Sequence, residues 1–297
     1  MPEPTSHSYI SQRLRLNYLD WGNPSAPPLV LLHGTRDHAH NWDWVAQRLQ
    51  DDFHVIAPDF RGHGDSEWSV GARYSPSEHM YDVAQLIHQQ GVAPVSIIAH
   101  SLGGLVALRY AGTHPEHVHR LVVVDGTGDI SQHAGGRGSA PERMRTWVEA
   151  QRSLAARRPR RYPSIEEAYE RMQTANPHLT EAQARHLTIH GAKQNEDGTY
   201  SWKFDNYVHT GHMLDLAPEE IGEVWANIAC PVLFVTGSES FQVGTFDEVD
   251  LVGRFQDARH VWVDDAGHWL HHDQLDRFLE LVTEFLGDPV ASSDQGG

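Results

Sequence analysis

The sequence predicts an α/β protein: a doubly wound, mostly parallel sheet with a helical cap inserted between two of its strands. Two observations carry this expectation. Short apolar, β-branched runs bounded by Gly, Pro or Asp recur along the chain with helical patterns between them, as strands buried on both faces alternate with crossover helices. That rhythm lapses between Gly126 and about Ile228 and then resumes, which reads as an insertion into one core.

The strands expected in order are PPLVLLHG (27–34), FHVIAPDF (53–60), PVSIIAH (94–100), HRLVVVDG (119–126), PVLFVTG (231–237) and RHVWVDDAGH (259–268). Helices fit between them. The stretch SPSEHMYDVAQLIHQQ sets Met80, Val83, Ala84 and Ile87 at helical spacing, SLGGLVALRYAG is apolar throughout, and DQLDRFLELVTEFL lines Leu275, Phe278, Leu279, Val282 and Leu286 into one stripe. The inserted part reads as helical, polar and aromatic-rich: PERMRTWVEAQRSLAARRPRRY, SIEEAYERMQTA, TEAQARHLTIHG and then NEDGTYSWKFDNYV. The expected division is therefore a core of residues 1–126 and 229–287, a cap of 127–228, and a polar, disordered tail of 288–297.

Composition narrows the function classes. The 297 residues are 39% hydrophobic, enough for a large core, yet no apolar run approaches the roughly 18 residues that span a bilayer. The N-terminus shows no apolar leader, so a cytoplasmic protein without membrane insertion is expected. Lys and Arg number 23 against 40 Asp and Glu, a formal charge of -17 that argues against nucleic acid as partner. The single cysteine, Cys230, excludes an intramolecular disulfide and a sulfur-rich metal site, and reads as a small core residue. Oligomeric state is not written in the sequence.

The chemistry gathers at the predicted strand ends. Ala99-His100-Ser101-Leu102-Gly103-Gly104 joins the strand VSIIA to an apolar helix, the context in which a sharp turn lifts a serine hydroxyl above a sheet edge. Ser101 is the candidate nucleophile. Ala99 replaces the first glycine of that pattern, while Gly103 keeps the crowded position after the serine open. His33-Gly34-Thr35 follows an earlier strand, and the N–H groups of Thr35 and Leu102 are candidate donors of an oxyanion hole. Asp265-Ala266-Gly267-His268-Trp269 follows the last strand, where an exposed histidine, His268, suits a general base. The glycine-rich turn Asp59-Phe60-Arg61-Gly62-His63-Gly64-Asp65-Ser66 reads as a structural loop.

Taken in order, HGT, DFRGHGDS, AHSLGG and AGHW resemble the α/β-hydrolase fold superfamily over nearly the whole chain apart from the cap and tail. The resemblance implies a serine hydrolase with the order nucleophile, acid, histidine. Its usual acid stands three residues after the glycine of VTGSESF, and there this chain has Ser240. Three residues compete to replace it: Glu239 one position short, Asp247 farther along the same loop, and Asp125 at the end of LVVVD. Some superfamily members take the acid from that earlier strand, and a helix, a turn and a strand fit between Ser101 and Asp125. Asp125 is favoured, with Glu239 as its competitor.

The expected reaction is cofactor-independent hydrolysis of small or medium hydrophobic carboxylic esters through an acyl-enzyme on Ser101. Serine there disfavours the haloalkane dehalogenase and epoxide hydrolase branches, which need an aspartate nucleophile. Carbon-carbon bond hydrolases, lactonases and cofactor-free haloperoxidases share the triad and stay open, as does a hydrolase-fold ligand-binding protein. Trp269, Trp202 and Trp147 are the aromatic candidates for a substrate pocket. Arg157-Arg158-Pro159-Arg160-Arg161 reads as a solvated helix end. His38-Ala39-His40 predicts no metal, because histidines two apart do not share a helix face and no partner motif stands nearby.

Overall fold

Eight strands form one sheet in the order β1-β2-β4-β3-β5-β6-β9-β10. They are β1 (Thr5–Ser11), β2 (Leu14–Asp20), β3 (Pro28–Leu32), β4 (His54–Pro58), β5 (Val95–His100), β6 (Val118–Val124), β9 (Val232–Gly237) and β10 (Ala258–Val263). The structure is a computed structural model and describes residues 3–126, 139–209, 216–243 and 251–287. From β4 to β10 every pairing is parallel, whereas β1 and β2 run antiparallel at one edge. The doubly wound, mostly parallel sheet expected from the sequence is present, extended by an N-terminal hairpin that sequence patterning did not suggest.

Alternate residues of the central strands feed two cores, as the period of two in a strand demands. Leu29, Leu31, Ile98, Val122, Val124, Leu233 and Val235 face helices α1 (Asp43–Leu49) and α8 (Leu275–Gly287), meeting Trp42, Val45, Phe278 and Val282. Val30, Leu32, Ile97, Ala99, Leu121, Val123, Val232 and Phe234 face α2 (Pro76–Gln90) and α3 (Leu102–Thr113), meeting Val83, Ile87, Val106 and Tyr110. Both faces are covered, which is why the runs carry no polar alternation. α2 begins with Ser75 accepting from the Glu78 N–H and Pro76 in the first turn, and it ends at Gly91 in the left-handed conformation.

The stretch between β6 and β9 is built of α4 (Ala140–Ala155), α5 (Ile165–Ala175), α6 (Glu181–Gly191) and α7 (Pro218–Ala226). It also contains the short antiparallel pair β7 (Ala192–Gln194) and β8 (Tyr200–Trp202), where the sequence suggested only helices. Their turn places Gly198 at φ 83°, a conformation open to glycine. In packing terms α7 belongs with the sheet: Ile221, Trp225 and Ile228 join the α2/α3 core, and Gly112 of α3 lies so close to Val224 that a Cβ there would sit 2.1 Å from its carbonyl oxygen. α6 and β8 are tied down by polar links instead. Gln183 Nε2 donates to the His272 carbonyl at 3.1 Å, Trp68 Nε1 to the Lys203 carbonyl at 2.9 Å, and Tyr74 Oη to Asp205 Oδ2 at 2.5 Å. The expected tail lies outside the described residues. Among the described residues no helix is long and apolar enough to cross a membrane.

Candidate active site

The C-terminal ends of β3, β5, β6, β9 and β10 bring their following loops to one edge of the sheet, as an open parallel sheet requires. Ser101 sits between β5 and α3 at φ 52° and ψ -116°, a backbone state that costs on the order of 1–3 kcal/mol and persists only where the surroundings enforce it. The surroundings are tight here. A Cβ on Gly103 would come within 2.5 Å of the Leu32 carbonyl oxygen, and one on Gly126 within 2.8 Å of the Ser101 carbonyl oxygen. The Ser101 N–H is held by the Val124 carbonyl at 3.0 Å.

His268 Nε2 stands 3.1 Å from Ser101 Oγ, and its Nδ1 is hydrogen-bonded to Asp125 Oδ2. Asp125 is completely buried and its own N–H donates to the Val235 carbonyl at 2.8 Å, which fixes the carboxylate over the β6/β9 boundary. Ser240 shares the oxygen that His268 binds: its Oγ donates to the same Oδ2 at 2.5 Å and accepts from the Gln242 N–H at 3.1 Å. Gln242 Nε2 reaches back to the Asp125 carbonyl at 2.9 Å. Glu239 points elsewhere, half exposed, with its carboxylate 3.6 Å from His178 Nε2. Asp247 lies outside the described residues.

His268 is supported from beneath. His100 is buried, its Nε2 lies 2.9 Å from the His268 carbonyl oxygen, which assigns it as the donor, and its ring lies 4.6 Å from that of His268. Burial pushes the His100 pKa well below the usual histidine value, so the ring is neutral. Behind it His271, neutral for the same reason, hydrogen-bonds Asn41 Oδ1 at 2.6 Å. Nothing in the sequence hinted that His100 carries the backbone of His268.

Leu102 follows the serine directly, and Gly34, the residue before Thr35, approaches it from the loop after β3. Leu102 is the first residue of α3, so its N–H has no acceptor within the helix. The Gly34–Thr35 loop approaches closely enough that a Cβ on Gly34 would lie 3.1 Å from Ser101 Cβ. His33 sets that loop: its Nε2 accepts from the Phe60 N–H at 3.0 Å, so its Nδ1 carries the proton donated to the Gly34 carbonyl at 2.7 Å. The glycine-rich turn is scaffolding. Asp59 accepts from the N–H groups of Ala39 and Asp65 and from Asn17 Nδ2, and Arg61 forks onto Asp82 through two contacts of 2.6 Å.

A family model described as the alpha/beta hydrolase family matches residues 29–281. The chain belongs to that family. The esterase Rv0045c of Mycobacterium tuberculosis is 29% identical over 91% of this chain and 86% of its own length, and the sn-1-specific diacylglycerol lipase ABHD11 of Mus musculus is 27% identical over 92% and 85%. A solved structure of the M. tuberculosis esterase superposes with a TM-score of 0.79 at 26% identity, covering 97% of this chain and 93% of that one. The hypothetical protein PA1622 of Pseudomonas aeruginosa reaches 0.83 at 24% identity, covering 96% and all of that chain.

The three tryptophans singled out from the sequence are scattered. Trp147 on α4 is exposed, Trp202 donates Nε1–H to Tyr162 Oη at 3.1 Å, and Trp269 packs with Leu179, Ala184 and Leu187 and edges His272 at 5.9 Å. The large apolar ring against His268 is Phe241, 4.6 Å away and 79% exposed. Its signal in VTGSESF was adjacency to the empty acid position, which points a side chain at the histidine. Arg160 lies over Tyr162 and Arg161 pairs with Asp197 at the surface.

Proposed function

We propose that this member of the family is a serine esterase in which Ser101 is the nucleophile, His268 the general base and Asp125 the acid. The observation that supports it most is the unbroken line from Ser101 Oγ through the two ring nitrogens of His268 to the buried Asp125. The esterase and lipase among its relatives support the bond class.

In this reading His268 Nε2 takes the Ser101 proton as Oγ attacks the ester carbonyl carbon, and the Thr35 and Leu102 N–H groups receive the oxyanion. The imidazolium then protonates the departing alkoxide, leaving an acyl-serine. Water repeats the sequence, returning the serine proton and releasing the acid. Asp125 keeps the proton on Nδ1 and stabilises the imidazolium without itself being protonated. Phe241 forms an apolar wall beside His268, which suits an ester with an apolar acyl or alcohol chain, and the inserted helices α4, α5 and α6 act as the cap.

An active-site fluorophosphonate tests this directly. The native chain is expected to be labelled and Ser101→Ala not; absence of labelling in the native chain would leave the ligand-binding alternative standing. Turnover of p-nitrophenyl esters of increasing chain length, set against a vinylogous diketone acid, separates an esterase from a carbon-carbon bond hydrolase.

A further inference from the structure

Away from Ser101, three imidazoles and one carboxylate meet between the core and the inserted helices. His40 lies in the 3-10 turn of Ala39–Trp42, Asp43 opens α1, and His186 and His190 come from α6. The last two are four residues apart and so share a helix face. The nearest ligand atoms of all four lie within 4.8 Å of one another. His40 Nδ1 and His186 Nε2 both bond Asp43 Oδ2, at 2.9 and 2.8 Å, and the His40 and His190 rings stack at 3.7 Å.

We propose that His40, Asp43, His186 and His190 bind one divalent transition-metal ion of the zinc class, which staples helix α6 to the loop that continues from Gly34–Thr35.

The donor chemistry selects the ion: imidazoles with one carboxylate suit zinc and its neighbours, whereas magnesium and calcium take oxygen. The spacing is within reach of side-chain rotation. Four donors at about 2.0–2.1 Å around a tetrahedral centre stand roughly 3.3 Å apart, so the bonded pairs open by about half an ångström or less while the widest pairs, up to 4.8 Å apart, close by up to about 1.5 Å. A second observation is independent of the cluster's geometry. Asp43 is buried, 5% exposed, and its Oδ1 has no hydrogen-bond partner, so the carboxylate spends one oxygen on two imidazoles and leaves the other unused.

Three rings in such contact cannot all carry positive charge, and a metal supplies the single cation that the lone pairs share. The proton balance is neutral. His40 and His186 now donate to Asp43 from the nitrogens that face the ion; each keeps one proton by moving it to its other nitrogen. Edge contact of His186 with Trp44 at 4.6 Å fixes one ring already. His38 stands outside the cluster, with its Nε2 engaged with the Leu187 carbonyl at 3.0 Å. The sequence argument against a metal does not reach His40, whose two imidazole partners, His186 and His190, arrive from more than a hundred residues away, where sequence spacing gives no clue.

The test is zinc titration of the chelator-stripped full chain, read by equilibrium dialysis, thermal midpoint and X-ray absorption. One zinc per chain is expected, with a raised midpoint and a first shell of three imidazoles and one oxygen. His186→Gln and His190→Gln are each expected to weaken binding by at least the roughly 10–100-fold that losing even a supporting residue costs a metal site, while His268→Gln leaves it unchanged. Zinc uptake unaltered in both α6 variants, or its loss in His268→Gln alone, would overturn the proposal. Should the α6 variants fail to fold, the absorption spectrum of the native chain decides: fewer than three imidazoles contradicts the site.

Discussion

At the scale of the residue, the site is defined by a substitution. Ser240 stands where the resemblance placed an acid, and its hydroxyl hydrogen-bonds the Asp125 carboxylate at the end of β6. A hydrogen bond to a charged group contributes about 1.5–3 kcal/mol. If part of that is realised as Asp125 orients His268, Ser240→Ala lowers kcat/KM roughly tenfold while the chain stays folded; steady-state kinetics with a circular dichroism control checks it, and an unchanged kcat/KM would make the serine a spectator. The sequence made Ser101, His268 and Asp125 legible because each follows an apolar strand, Ser101 and Asp125 directly and His268 after a short turn beyond Val263. Ser240, Gln242 and His100 were not legible, since their roles depend on hydrogen bonds across strands that no local spacing encodes.

At the scale of the element, legibility follows burial. The six runs expected as strands coincide with β3, β4, β5, β6, β9 and β10; the first five lie inside the sheet and are covered on both faces, whereas β10 is its edge strand and was legible from the β-branched run HVWV rather than from burial. The first hairpin escaped because β1 is mostly exposed and its turn puts Gln12 and Arg13 at φ 46° and 71°, without the Asn-Gly that usually marks such a turn. The β5-to-α3 elbow gives a prediction whose sign is diagnostic. Glycine to alanine within a helix ordinarily stabilises by about 1 kcal/mol. At Gly103 the added methyl would meet the Leu32 and His33 carbonyl oxygens at 2.5 and 2.8 Å, so Gly103→Ala is expected to destabilise by about 1–3 kcal/mol. Urea denaturation measures it, and a stabilised variant would mean that the helix does not dock this closely.

At the scale of the whole molecule, the buried histidines set an acid limit. Burial lowers the pKa of His33, His100 and His271 well below the usual value, that of His38 and His272 to about 3, and that of His190 to about 4. Each binds its proton in the unfolded chain near pH 6.5 but not in the folded one, so stability falls as pH drops below about 6.5 and keeps falling until the folded values are reached. The slope is up to about 1.4 kcal/mol per pH unit per group. Asp37, raised by burial to about 8, has the opposite sign, and Asp59, Asp82 and Asp273 are raised in the same direction. The six histidines outnumber those four carboxyls, so the urea midpoint is expected to drop between pH 6.5 and 5. A midpoint that rises over that interval would show the carboxyls to prevail. None of this was readable from the count of 22 histidines, because composition does not tell which rings are dry.

The central claim is that the acid of this site has moved from the loop after β9 to the end of β6. Asp125→Asn and Glu239→Gln, compared for kcat/KM on one activated ester under the same conditions, test it most directly. Loss of an acid that orients the histidine costs about 10⁴-fold in a serine triad; we expect a loss of that order for Asp125→Asn and less than about twofold for Glu239→Gln, whose side chain is half exposed beside His178. Full activity in Asp125→Asn together with loss in Glu239→Gln would contradict the account.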